Sequence, residues 1–244
     1  MERKPIQRRA GTSSGSDIGG PDPRSGGSSL GGLVRQLADK KTLEHPWQGL
    51  EELLAAEGVE RLRLLGFGSL VNADSAAATL AEDAARGGTA VMAYGARRVF
   101  DYRMDGANSR YLLPEAPDAR ALLNTRVTGD PADRLNGVLL ETPLGDLAAL
   151  REREADYSLA RVAFRPWGME EVGSAWILTC EPGTRAGRRR IRMNLTPNPC
   201  YYQVCREGAA SFGPEFLQTW LDTTFLADGA TRVADWERTD WNAS

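Results

Sequence analysis

Apolar residues recur along this chain in two rhythms. From Leu43 onward Trp47, Leu50, Leu53 and Leu54 fall three to four positions apart, the spacing of a helix with one buried face, and Gly58 marks its end. The next run, Arg61-Leu62-Arg63-Leu64-Leu65-Gly66-Phe67, passes from mixed to continuously apolar, as a strand entering a core does. It meets Gly68-Ser69 and then an alanine-rich helical stretch from about Ser75 to Ala85. Strand-like runs follow at Val91 to Met104, Tyr111 to Leu113, Arg120 to Val127 and Leu135 to Glu141, divided by Gly, Pro and Asp. Pro143 opens a helix with Leu144, Leu147, Ala148 and Leu150 on one face, and Tyr157 to Phe164 resumes strand character. Val172 to Cys180 and Arg190 to Met193 are further strands around the turn Glu181-Pro182-Gly183. Helices are predicted at Cys200 to Ala210 and Pro214 to Phe225, with Trp236 to Trp241 laid over the domain as apolar anchors. Runs of strands without intervening helices exclude strict βαβ alternation, and there is no internal repeat. The pattern predicts one α+β domain over residues 42–244, its mixed, mostly antiparallel sheet rolled or partly closed.

Composition separates off the beginning of the chain. Residues 1–41 hold eight of the 26 glycines, three prolines and no aromatic residue, too little apolar surface to offset the entropy of ordering. They read as a disordered Gly/Ser-rich leader without chemistry. It carries eight basic against four acidic side chains on a chain whose net charge is −3. With 33 acidic and 30 basic residues overall, the chain has no broad positive field, which disfavours a nucleic-acid partner. No run approaches the roughly 18–20 apolar residues of a membrane span, and no signal-peptide segment opens the chain, so neither a membrane nor export is expected. Cys180, Cys200 and Cys205 are odd in number and match no zinc or redox spacing, which points to a cytoplasmic location. The one histidine, His45, lies near the leader, which removes Ser-His-Asp, Cys-His and multi-histidine metal chemistry.

Three segments carry candidate chemistry, each with a plainer alternative. Gly66-Phe67-Gly68-Ser69-Leu70 joins a buried strand to a helix, so its backbone N–H groups suit an anion; a tight structural turn explains the same residues. It lacks the third glycine of a dinucleotide fingerprint and the lysine of a P-loop. Glu152, Glu154 and Asp156 lie where a helix gives way to a strand. Two positions apart, Glu152 and Glu154 face different ways, so one can pair with Arg151 or Arg153 in solvent while the other turns inward, where the Tyr157 phenol is within reach. A charged helix end with ordinary ion pairs is the alternative. In Thr196-Pro197-Asn198-Pro199-Cys200-Tyr201-Tyr202 the prolines set up a helix start that presents two tyrosines, either core aromatics or hydroxyl donors to a ligand. Four arginines within Arg185 to Arg190 read as an exposed hairpin loop.

Taken together, these segments resemble the γ-glutamylcyclotransferase family over roughly Arg61 to Phe216. Phe67-Gly68-Ser69-Leu70 is similar to the family's Tyr-Gly-Ser block, Asn136-Gly137-Val138-Leu139 to its Asn-Gly-Val-Leu strand, and Arg153-Glu154-Ala155-Asp156-Tyr157 to its Arg-Glu-x-x-Tyr setting. Pro197-Asn198-Pro199-Cys200-Tyr201 with Gly208-Ala209 is similar to the Pro-x-Pro-x-Tyr block and its Gly-Ala pair. Phe67 departs from the usual tyrosine, so that block lacks its hydroxyl here. The resemblance implies a small mixed barrel with flanking helices, a cavity between the Gly-Ser loop and the glutamate, and no metal or organic cofactor. It implies an enzyme that cyclises a γ-glutamyl amide or peptide to 5-oxoproline, the substrate's own α-amine attacking its γ-carbonyl, with release of an amine or amino acid. Glu154 would be the general acid/base. Phe67, Gly68, Ser69, Leu70, Tyr157 and Tyr201 would bind the glutamyl end. The partner is then a small γ-glutamyl molecule, and the protein a monomer or homodimer. Leaving-group choice falls to the loops Met104 to Arg110 and Phe164 to Glu171, with Arg103, Arg110 or Arg161 as a counter-charge. Two other readings share these residues: removal of a γ-glutamyl protecting group in a biosynthetic pathway, and a non-catalytic γ-glutamyl sensor.

Overall fold

The computed structural model describes residues 29–104, 111 and 120–241. The first 28 residues of the expected leader, residues 112–113 of an expected strand and residues 105–110 of an expected specificity loop lie outside them. The chain runs α1 (Leu30–Ala38), α2 (Leu50–Ala56), β1 (Arg61–Gly66), α3 (Ala73–Ala77), α4 (Glu82–Arg86), β2 (Thr89–Tyr94) and β3 (Ala96–Arg103). It continues with β4 (Arg120–Val127), β5 (Arg134–Pro143), α5 (Leu147–Arg153), β6 (Ser158–Pro166), β7 (Gly173–Thr179) and α6 (Arg185–Arg190). Last come β8 (Thr196–Pro197), α7 (Pro199–Ala210), α8 (Pro214–Asp222), β9 (Thr224–Leu226) and α9 (Val233–Trp236).

Five strands close into a barrel in the order β1-β5-β2-β6-β7. Neighbours along that order are antiparallel, and a short parallel contact of Leu64 with Trp176 and Leu65 with Ile177 joins β7 back to β1. Leu62 and Leu64 of β1 and Val91 and Ala93 of β2 enter the core with the period of a half-buried strand, whereas β7 is buried on both faces from Ala175 to Thr179. A second sheet, β8-β4-β3-β9, lies beside the barrel, antiparallel at β3–β4 and parallel at both edges. The single strand expected over Val91 to Met104 is divided between the two sheets at Gly95. That residue has φ 85°, a left-handed conformation that costs glycine little, and its carbonyl accepts from Thr128 and Gly129.

Several elements differ from the sequence reading for local reasons. Helix α1 lies ahead of the boundary expected at residues 41/42: Ser29 caps it, and Val34 and Leu37 pack on Ala163 of β6. Its apolar stripe is masked in sequence by the glycines around it. Leu43 belongs to no helix; it pairs with Leu159 through two 2.8 Å backbone hydrogen bonds. The alanine-rich stretch splits into α3 and α4. Between them Thr79 Oγ1 accepts from Arg153, and the Ala81 N–H donates to Asp146 Oδ2, so the chain turns to meet the α5 region. The expected hairpin at Arg185 to Arg190 is the capped helix α6, with Thr184 Oγ1 accepting from Gly187 N–H at 2.9 Å and Arg190 buried. Of the strand expected at Arg190 to Met193, only Ile191 bridges to Tyr102. The last expected helix stops at Asp222, and β9 leaves it to join β3. Among the described residues no helix is long and apolar enough to cross a membrane.

Candidate active site

Strand β1 ends by burying Phe67, after which Ser69–Val71 form a single 3-10 turn. Its first hydrogen bond runs from Val71 N–H to Gly68 C=O at 3.0 Å, so the N–H groups of Ser69 and Leu70 precede that bond and are not consumed by it. Leu70 faces the core. Asn72 then caps α3 through Ser75 N–H at 3.0 Å, and its Nδ2 reaches the Val204 carbonyl of α7 at 3.4 Å. The approach of α7 is possible because residue 208 has no side chain: a Cβ on Gly208 would stand 2.6 Å from the Asn72 nitrogen.

Helix α5 carries Leu147 and Leu150 on its buried face and delivers Arg153 and Glu154 at its C-terminal end. Glu152 is exposed, whereas the Glu154 side chain is 14% accessible, as the two-residue offset between them allows. Arg153 Nε lies 3.0 Å from Glu154 Oε1. The other arms of that guanidinium donate to Ser69 Oγ (3.1 Å), the Ser75 carbonyl (2.6 Å), Ser75 Oγ (3.1 Å) and Thr79 Oγ1 (3.0 Å). One arginine therefore ties the glutamate to the Gly-Ser turn. The sequence offered Arg151 or Arg153 as partner of the solvated glutamate; instead Arg153 pairs with the inward one, and no local pattern distinguishes it from Arg151, which pairs with Glu51.

Asp156 follows in a left-handed conformation, φ 75°, held by Arg189 and by the Nε and Nη2 of Arg190. Burial would raise its pKa, but the arginines outweigh burial and hold the carboxyl below the usual aspartate range. Tyr157 stacks on Tyr102 with ring centroids 4.5 Å apart, and its hydroxyl donates to the Leu123 carbonyl at 2.6 Å rather than to a carboxylate. The buried indole of Trp47 donates to the Tyr157 carbonyl at 2.8 Å.

The Asn198 side chain caps α7 through the Tyr201 N–H at 2.9 Å. Tyr201 is buried, edge-on to Phe100 and Tyr111. Its hydroxyl abuts the Gly68 backbone: a Cβ at residue 68 would fall 2.3 Å from that oxygen. Burial chiefly, with a contribution from the Glu154 charge, lifts the hydroxyls of Tyr157 and Tyr201 well above the ordinary phenol range, so both stay protonated donors. Burial likewise pushes the Cys205 thiol up to about 12, which leaves it a neutral packing group.

Glu154, Gly68, Ser69 and Tyr201 thus meet in one region, linked by Arg153 and by the Tyr201–Gly68 contact. Phe67 packs behind the turn, and its carbonyl accepts from the buried Arg98. Arg161 belongs elsewhere, ion-paired with Glu57 and lying over Trp176 with its guanidinium 4.7 Å from the ring centroid. Those residues line an open groove of about 550 Å³ along the β1–β7 seam that contains none of the motif residues. Arginines 61, 63 and 161 alternate there with glutamates 57, 60 and 141, which leaves the groove without a net charge for an anion. Among the described residues no three His, Cys, Asp or Glu side chains are gathered as a metal site would need.

No family model and no curated protein sequence matches the chain. Among solved structures, the crystal structure of YkqA from Bacillus subtilis superposes with a TM-score of 0.51 at 14% identity over 69% of this chain. The match covers 55% of YkqA, so the chain spans little more than half the length of that relative. The solution structure of an Arabidopsis thaliana protein, At3g28950.1, gives a TM-score of 0.37 at 15% identity, covering 75% of this chain and 88% of that one. The likeness to YkqA is one of fold. The fold is γ-glutamylcyclotransferase-like: a mixed α+β body with a closed five-stranded barrel, a curled second sheet and flanking helices.

Proposed function

We propose that the protein is a γ-glutamylcyclotransferase-type enzyme that converts a γ-glutamyl amide or peptide to 5-oxoproline and releases the amine or amino acid. The observation that carries this reading is the tether from Glu154 through Arg153 to Ser69, which sets a mostly buried carboxylate beside the Gly-Ser turn. Ring closure joins two groups of one substrate molecule, so no protein nucleophile is required; orientation supplies much of the rate. The substrate's α-nitrogen bonds to its γ-carbonyl carbon while the bond from that carbon to the amide nitrogen breaks. Glu154 takes the proton from the attacking nitrogen and returns it to the leaving one, a role worth roughly 10²–10⁴-fold. The N–H groups of Gly68, Ser69 and Leu70 hold the glutamyl carboxylate or the developing oxyanion. Tyr201, a donor at all working pH, bounds the glutamyl end.

The test is release of 5-oxoproline from glutathione, γ-glutamyl amino acids and γ-glutamylamines, run beside Glu154→Gln. Turnover by the parent protein that falls at least about 10²-fold in the variant is the expected result. Near-normal turnover by Glu154→Gln removes the glutamate from its role. Binding without turnover across the whole panel replaces the enzyme with a γ-glutamyl-binding module.

A further inference from the structure

Behind the Gly-Ser turn lies a cation that the reaction above does not use. Arg98, in β3, is fully buried. Its Nε donates to Thr224 Oγ1 at 2.7 Å. Nη1 donates to the carbonyls of Asn136 (2.6 Å) and Phe67 (3.3 Å). Nη2 reaches Asn136 Oδ1 (3.1 Å), the Trp220 carbonyl (3.0 Å) and Thr223 Oγ1 (3.2 Å), and the guanidinium lies 4.7 Å from the Trp220 ring centroid. Every one of these acceptors is neutral. Burial lowers the pKa to about 9, so the group is still a cation at neutral pH. Buried charges are ordinarily paired, because an isolated one forfeits its hydration. The ionisable neighbours that act on it, Cys205 and Tyr201, are themselves held protonated.

The contact with Phe67 gives this charge, which has no acidic partner among the described residues, a direction. In a trans peptide the C=O and the following N–H point opposite ways. Arg98 holds the Phe67 carbonyl, so the Gly68 N–H of the same peptide points away from Arg98, and polarisation of the carbonyl makes that N–H a stronger donor. We infer that Arg98 is a positioning residue that aims and polarises the Phe67–Gly68 peptide toward a carboxylate of the ligand, which serves as its missing counter-charge across the turn. The inference rests on the γ-glutamyl reading of the site and narrows it. A cation buried in the free protein is matched by an anion already present in the bound ground state, so the turn holds the glutamyl carboxylate rather than an oxyanion that forms only in the transition state.

The experiment compares Arg98→Met, which keeps bulk without charge, and Arg98→Lys, which keeps charge without the planar fork. For the best γ-glutamyl substrate of the parent protein, Arg98→Met is expected to raise KM about tenfold or more with kcat within about twofold, and Arg98→Lys to fall between. A folded Arg98→Met protein with unchanged KM, or one that loses kcat alone, overturns the inference. Should that variant not fold, ¹⁵N-labelled parent protein decides the matter: on titration with L-glutamate the Gly68 amide and Arg98 Nε–H resonances shift together, and a Gly68 amide that does not respond overturns it. If the parent turns over no γ-glutamyl compound yet both resonances respond, the enzymatic reading fails and the carboxylate cradle stands. If turnover is intact and Arg98→Met leaves KM unchanged, the reverse holds.

Discussion

A methyl group at position 68 would stand 2.3 Å from the Tyr201 hydroxyl, so the glycine of the Gly-Ser turn is required by a residue on a distant helix. Gly68→Ala is expected to cost about 1–3 kcal/mol of stability through overpacking. Tyr201→Phe deletes the atom in the way, so the double variant should lose less than the sum of the two single ones, read from urea denaturation. Additivity within about 0.5 kcal/mol would mean that the two positions do not press on each other. The sequence marked both residues by motif without linking them. It also marked Glu154 over Glu152 only through the family resemblance, and the α5 helix supplies the physical basis by exposing one and turning the other inward. Arg153 and Arg98 were not legible as site residues. Arg98 left one usable sign, a charge inside a strand whose neighbours Val99 and Phe100 are buried.

Among the elements, β4 follows its sequence run closely, because a short run of strand-forming residues is a property of a few adjacent positions. Helices α1 and α6 did not, since each is stabilised from outside its own stretch: α1 by β6, α6 by Asp156 on the α5–β6 connection. Helices of nine and six residues are marginal alone and depend on such docking. A chain starting at residue 42 should therefore melt at least about 5 °C below one starting at residue 29. Val34 and Leu37 would lose burial worth about 1.5–3 kcal/mol each, and 1 kcal/mol moves Tm by about 2–4 °C at this size. Equal midpoints by calorimetry would show that α1 adds nothing to the body.

For the molecule as a whole, the decisive contacts are those that bind the barrel to the second sheet. Asn124 of β4 donates to the Cys180 carbonyl at 3.0 Å and accepts its N–H at 2.8 Å, while Thr125 and Thr179 exchange hydroxyl-to-carbonyl bonds of 2.6 and 2.7 Å with the facing strands. Asn124→Leu would strand both backbone groups of Cys180 in the interior and should cost about 2–5 kcal/mol, measured by denaturation; a loss under about 1 kcal/mol would assign the coupling of the sheets to apolar packing alone. The α+β class, most of the strand runs, the helix from Pro199 and the separate Gly-Ser, glutamate and tyrosine motifs were set by the sequence itself, because periodicity and turn chemistry act over a few positions. Which sheet each half of Val91 to Met104 joins, how β7 closes on β1, and the meeting of Arg153 with Ser69 across 84 positions were decided only in the tertiary structure. A pattern of two or 3.6 residues says which face of an element is buried. It does not say against what, since backbone hydrogen bonds are the same for every partner and the choice falls to packing of the whole core.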